Sequence, residues 1–180
     1  MASRLHIPDK LRLESREVIE TLRLKGQFVA ATVAACVYAV CRKHNLPVNM
    51  QEIGNSMTPR VKKNLIAKRY ERIRKKIYPS LPQTNISPDI YLVKIAKSLK
   101  KSDATVRSAL KLIQCSNEVG NLASGRHPAT LAAAAFYLAC LRHGEPSTQS
   151  EIASAAGLSD DKSLRRVIKL LQLIDIKHPS

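Results

Sequence analysis

The sequence predicts an all-helical protein built from two tandem units, the second ending in a helix-turn-helix. Three observations carry that prediction. Residues 26–53 overlay residues 125–152 at a shift of 99 without a gap, with ten identities in 28 positions. Paired alanines are cheap in Ala-rich helices. Matches of Gly26 with Gly125, Tyr38 with Tyr137, Cys41 with Cys140, His44 with His143, Pro47 with Pro146 and Glu52-Ile53 with Glu151-Ile152 in one register are not, and they mark a duplicated domain. Second, the run Leu131 to Leu141 is apolar on every face, the pattern of a helix buried on all sides. Third, two short polar-faced helices follow it with a sharp turn at Gly157. A length of 180 residues suits two units of about 90. An apolar content of 44% suffices for real cores and excludes a disordered chain.

Residues 1–8 read as a short lead-in. A helix is expected from about Pro8 to Lys25, with Leu11, Val18 and Leu22 inward, closed by Gly26. The central helix of the first unit runs from about Val29 to Lys43. His44 and His143 fall at equivalent places near helix C-termini, where a cation complements the helix dipole; a ligand role is the alternative. A short helix follows at about Met50 to Asn55. Thr58-Pro59 reads as an N-cap with proline at the first helical position, opening a helix from Pro59 to Ile77. Its expected inner stripe is Val61, Leu65/Ile66, Tyr70, Ile73 and Ile77. Its other face carries Arg60, Lys62, Lys63, Lys68, Arg69, Arg72, Arg74, Lys75 and Lys76, offset only by Glu71. A charge run is usually a solvated face. Here like charges three and four apart destabilise the helix unless something neutralises them. That points Lys62, Lys63, Lys68, Arg69, Arg72, Lys75 and Lys76 at phosphates.

Tyr78 to Pro88 holds Pro79, Pro82 and Pro88 and has no periodicity, so 78–88 reads as a linker between a first unit at 1–77 and a second at 89–180. The second unit opens with a helix at about Asp89 to Lys100, apolar at Ile90, Val93, Ile95/Ala96 and Leu99, which has no counterpart before Leu11. Ser102 caps a helix from Asp103 to about Glu118. Lys94, Lys97, Lys100 and Lys101 extend the basic surface. The buried helix covers about Pro128 to Arg142. Thr148 and Glu151 fit a capping box that starts a helix at Gln149. Ala153 is small where two helices cross, Gly157 takes the turn, and Ser159 caps a helix with Leu164, Ile168 and Leu171 inward. Its outer face shows Lys162, Ser163, Arg165, Arg166 and Lys169. In a helix-turn-helix the start of the second helix enters the major groove. Lys162 and Arg165 would then reach base edges, while Thr148, Gln149 and Lys169 hold phosphates. Asp160 and Asp161 suit the helix dipole but repel phosphates.

Net charge of +16 and a pI near 10.1 call for a polyanionic partner. Residues 60–107 hold 14 basic and 3 acidic side chains, so the charge is focused mid-chain. With no Trp, two Phe and five Tyr, aromatics are too few for a base-stacking single-strand binder. Cys36, Cys41, Cys115 and Cys140 form no CxxC pair and read as buried thiols in a reducing compartment. The longest uncharged runs, Gln27 to Cys41 and His127 to Leu141, fall short of the ~18 residues that span a bilayer, and no secretion signal is legible. No metal-ligand, triad or Gly-rich phosphate-loop spacing occurs, so neither an enzyme, a cofactor nor a metal is expected.

The segments GQFVAATVAACVYAVCRKHNLPVNMQEI, IAKRY, DIYLVKIAKSL and GRHPATLAAAAFYLACLRHGEPSTQSEIASAAGLS together resemble the core of the transcription factor IIB family, archaeal members in particular. The resemblance covers almost the whole chain, with both repeats in order. It implies two cyclin-like five-helix domains and a monomer that binds promoter DNA complexed with the TATA-binding protein. It also implies that the second-repeat helix-turn-helix reads a purine-rich element upstream of the TATA box, with Lys162 and Arg165 at base-reading positions, and that RNA polymerase is then recruited. The family commonly has a small apolar residue where Lys162 falls and a tyrosine where Ile168 falls. Its usual zinc ribbon and reader segment have no match here. The expectation is a core whose polymerase contact lies in a missing N-terminal region; the alternatives are a short relative that occupies promoters without recruiting polymerase, and a cyclin-like adaptor for a protein partner. The expected place of work is the cytoplasm, at the nucleoid, for an archaeal protein and the nucleus for a eukaryotic one.

Overall fold

The computed structural model describes Leu5 and residues 7–22, 29–80, 87–118, 126–158 and 161–177. Among these, nine helices and no strand occur: α1 (Asp9–Thr21), α2 (Val29–Lys43), α3 (Met50–Ser56), α4 (Lys63–Ile77), α5 (Pro88–Leu99), α6 (Asp103–Glu118), α7 (Pro128–Arg142), α8 (Gln149–Ala156) and α9 (Lys162–Lys177). The chain divides into two compact units, 1–84 and 85–180. The expected ends at Lys25 and Gly26, the cap at Ser159, Asp160 and most of the proline-containing linker lie outside the described residues.

In the first unit α2 is the centre, packed by α1, α3 and α4. Its Ala34, Ala35, Cys36, Ala39, Val40 and Cys41 are buried against Leu11, Val18, Ile53, Ile66, Tyr70 and Ile73. In the second unit α7 is packed by α5, α6, α8 and α9, and Pro128 to Phe136 are buried without interruption. Only a helix surrounded on all sides tolerates that composition. The duplication is visible in the backbone. Asn45 and its counterpart Gly144 both take positive φ after the central helix, and Leu46 and Glu145 N–H donate back to Cys41 and Cys140 O at 2.8 and 2.9 Å. Both following helices open with capping boxes, Asn49 with Glu52 and Thr148 with Glu151.

Several expectations are corrected. The helix after Thr58-Pro59 starts at Lys63, not Pro59, and that peptide bond is cis. The cause is Gly54: Val61 N–H donates to Gly54 O at 3.1 Å, and a Cβ on Gly54 would lie 2.2 Å from Val61 O. That close approach drops Val61 into the core from a loop instead of from a helical stripe. Leu65 stays exposed because its neighbour Ile66 takes the inward position. In α5 the buried set is Tyr91, Leu92, Ile95 and Ala96, while Val93 is 46% exposed. Pro88 is the first residue of that helix, and Tyr78 packs on the first unit, its hydroxyl 3.5 Å from Glu14 Oε1. Lys101 does not extend the basic surface: its Nζ donates to the Glu145 and Pro146 carbonyls at 3.1 and 3.2 Å.

Cys36, Cys41 and Cys140 are buried free thiols, pushed up by burial to about 12, 12 and 11, and Cys115 is half-buried. Among the described residues no group of three or more His, Cys, Asp or Glu is placed to hold a metal, and no helix is long and apolar enough to cross a membrane.

Candidate nucleic-acid interface

Thr148 starts α8. Its Oγ1 accepts from the Glu151 N–H at 3.2 Å, and Glu151 Oε2 accepts from the Thr148 N–H at 2.8 Å and hydroxyl at 2.9 Å. Those bonds hold the Glu151 carboxyl below its ordinary range. They also occupy the Thr148 hydroxyl, one of the groups expected on phosphate. Gln149 is half-buried and Lys169 exposed. Gly157 ends the helix at φ 76°, where L residues are strained, and the Leu158 N–H turns back to Ala153 O at 2.8 Å. Ile152, Ala153 and Ala156 face the core.

On α9, Leu164, Val167, Ile168 and Leu171 are buried. At about 100° per residue the opposite stripe is Lys162, Arg166 and Lys169, all exposed. Ser163 and Arg165 fall on the two flanks. Arg165, its side chain 63% exposed, is ion-paired with Asp161 one turn earlier. The helical turn therefore sets Arg166 beside Lys162, an ordering that spacing from the buried set would have shown once Val167 was counted inward.

The second basic surface is α4. Ile66, Tyr70 and Ile73 are buried, and Tyr38 packs edge-on against Tyr70 with centroids 4.9 Å apart. Opposite that face run Lys68, Arg72 and Lys75, exposed, with Lys76 and the half-buried Arg69 on one flank. Lys62 and Lys63 are exposed at the N-terminal end. Arg74 is turned aside, its side chain 14% exposed and ion-paired with Glu71 at 3.3 Å. Like charges at these spacings repel along the helix, and a row of exposed cations on a helix whose sequence holds one acid, Glu71, suits a phosphate backbone.

The sequence model of the family described as "Transcription factor TFIIB repeat" matches residues 1–76 and again 82–173. A relative from Thermococcus kodakarensis, "Transcription initiation factor IIB 1", is 31% identical over 183 residues, covering 99% of this chain and 60% of its own length. "Transcription initiation factor IIB" from Methanothermococcus thermolithotrophicus is 32% identical over 98% of this chain and 52% of its own. "Transcription initiation factor IIB 1" from Saccharolobus solfataricus is 32% identical over 97% and 55%. The chain thus spans between half and three-fifths of these relatives' length. With two helical repeats in tandem, a helix-turn-helix in the second and a family match across both, the chain belongs to the transcription factor TFIIB repeat family.

Proposed function

We propose that this chain is the promoter-binding core of a general transcription initiation factor. Its two cyclin-like units would dock as a monomer on the complex of TATA-binding protein and double-stranded promoter DNA. In this reading α9 enters the major groove upstream of the TATA box, with Lys162 and Arg166 at base edges, Arg165 beside them once Asp161 releases it, and Ser163 and Lys169 at the groove margin. Gln149 and the Thr148 end of α8 lie near phosphate. The α4 cations Lys62, Lys63, Lys68, Arg69, Arg72, Lys75 and Lys76 supply salt-dependent affinity. RNA polymerase engagement would run through a region outside this sequence. For a protein with archaeal relatives, the place of work would be the nucleoid in the cytoplasm. The observation that carries the reading is the exposed Lys162–Arg166–Lys169 stripe on the second helix of a helix-turn-helix, within a chain of this family.

The test is a gel-shift titration on a TATA-containing duplex, with and without TATA-binding protein, at two salt concentrations. A supershift that needs the TATA-binding protein and is lost on scrambling the bases upstream of TATA is expected. Affinity should fall by about 10³–10⁵ between 50 and 200 mM salt for ~6 to 10 phosphate contacts. Equal binding to any duplex, indifferent to the TATA-binding protein, would refute the proposal.

A further inference from the structure

The two units differ at one equivalent place. In the first, Glu14 of α1 binds Lys43 Nζ through Oε1 at 2.7 Å and His44 Nε2 through Oε2 at 2.7 Å. Lys43 also lies over the Tyr78 ring, 5.4 Å from its centroid. The carboxylate bridges α1 and the end of α2 and neutralises the Lys43 ammonium there. The shift of 99 carries Lys43 and His44 onto Arg142 and His143. Laying the buried Leu11, Ser15 and Val18 of α1 on the buried Thr105, Ala109 and Leu112 of α6 carries Glu14 onto Ser108 and Glu17 onto Lys111. The second unit therefore has a serine and a base where the first has two acids.

What remains is a cleft of about 350 Å³ lined by Ala104, Arg107, Ser108, Lys111 and His143. Among the described residues no carboxylate pairs with Arg107, Lys111 or His143. Glu145 is engaged elsewhere, its Oε2 accepting from the Ser102 N–H at 3.2 Å and the Thr105 hydroxyl at 3.1 Å. Those bonds hold its carboxyl below the ordinary range. Asp103, one turn before Arg107, is not ion-paired with it.

We infer that this cleft receives a carboxylate side chain from an acidic segment of a protein partner, replacing from outside the group that Glu14 supplies from inside in the first unit. The recess favours a protein over a duplex. Small side chains at Ala104 and Ser108 leave a hollow that a single flexible Glu side chain can enter, whereas duplex phosphates are fixed in a continuous backbone and do not enter a recess one at a time. Arg107 and Lys111, one turn apart, can clamp one carboxylate with charge-assisted hydrogen bonds.

The probe is a short fluorescein-labelled peptide of alternating Glu and Leu, titrated into the full chain by anisotropy, with the Gln-Leu peptide and a labelled DNA duplex as controls. The double variant Arg107→Ala/Lys111→Ala should lose about tenfold or more in affinity for the Glu-Leu peptide while keeping duplex binding. Lys68→Ala/Arg72→Ala, which removes the same charge, should lose duplex binding with a smaller effect on the peptide. Ser108→Glu should plug the cleft as Glu14 does and abolish the peptide's preference for this unit, and Ser108→Gln should not. Equal peptide losses in both double variants would reduce the effect to net charge and overturn the inference. So would a Ser108→Glu variant that binds the peptide like the parent. Loss of duplex binding without loss of peptide binding in Arg107→Ala/Lys111→Ala would assign the cleft to DNA phosphate instead.

Discussion

Removing Lys68, Arg72 and Lys75 together separates binding from stability on one helix. The three stand on one stripe of α4 opposite Ile66, Tyr70 and Ile73, and all are exposed. If each neutralises one phosphate, the slope of log K against log salt falls by about 0.9 per residue, about 2.7 in all. Over a fourfold change in salt this removes about 40-fold of the salt attenuation. The same change relieves the helix. Substitution by Ala deletes like-charge neighbours three or four apart, Lys68 with Arg72 and Arg72 with Arg69, Lys75 and Lys76. It also deletes two attractive pairs with Glu71. At ~0.2–0.5 kcal/mol each, the balance of repulsive over attractive pairs leaves the variant more stable by roughly 0.5–1 kcal/mol. The assay is a filter-binding or gel-shift salt series on promoter DNA beside a thermal melt. The expected result is weaker, flatter salt dependence with an unchanged or higher Tm. Arg74→Gln, which removes a charge turned toward Glu71 on the same helix, should leave the slope within experimental scatter. An unchanged slope in the triple variant, or an equal drop in Arg74→Gln, would refute the assignment of this stripe to phosphate.

Asp161→Asn removes an acid beside the reading helix and releases the Arg165 guanidinium, so promoter affinity should rise about two- to fivefold in a gel-shift titration. Arg166→Ala should cost ~1–3 kcal/mol of discrimination between the intact and the scrambled upstream element, measured by competition. Gly54→Ala drives a Cβ into the Val61 carbonyl, and urea denaturation should show a loss of about 1–3 kcal/mol. Burial of Glu14 pushes its carboxyl up, but the bonds from Lys43 and His44 outweigh that and hold it below 4.5. A depressed folded pKa means the stabilisation is full above pH 4.5 and fades as pH falls below that, through the folded value. Glu14→Gln should flatten that part of the stability–pH profile followed by circular dichroism.

Helix positions were legible because period and punctuation agree in this chain. Val29 to Lys43, Asp103 to Glu118 and Pro128 to Arg142 stand at the bounds expected from apolar runs and flanking Ser102 or Pro128. The capping box at Thr148 and the turn at Gly157 were legible because local hydrogen bonding and a positive φ each demand particular residue types. Arg166 was legible on the outer face of α9 with Lys162; counting Val167 among the inward residues centres that face on Lys162, Arg166 and Lys169 and moves Arg165 to a flank. The start of α4 was missed. Thr58-Pro59 is a good local start signal, and the Gly54–Val61 contact that overrides it joins two elements.

The sequence alone determined the duplication, the all-helical class, the helix-turn-helix and the mid-chain concentration of charge, since each follows from spacing along the chain. Tertiary structure decided which charges remain outward and which are spent. Arg74 goes to Glu71, Lys101 to two carbonyls, Arg165 to Asp161, and Lys43 with His44 to Glu14. It also decided that Arg107, Lys111 and His143 border an open cleft. Arg74 with Glu71 and Arg165 with Asp161 are neighbours three and four apart, a spacing the sequence itself contains. The Glu14 and Lys101 pairings join residues 29 to 45 positions apart, and local spacing carries no record of those.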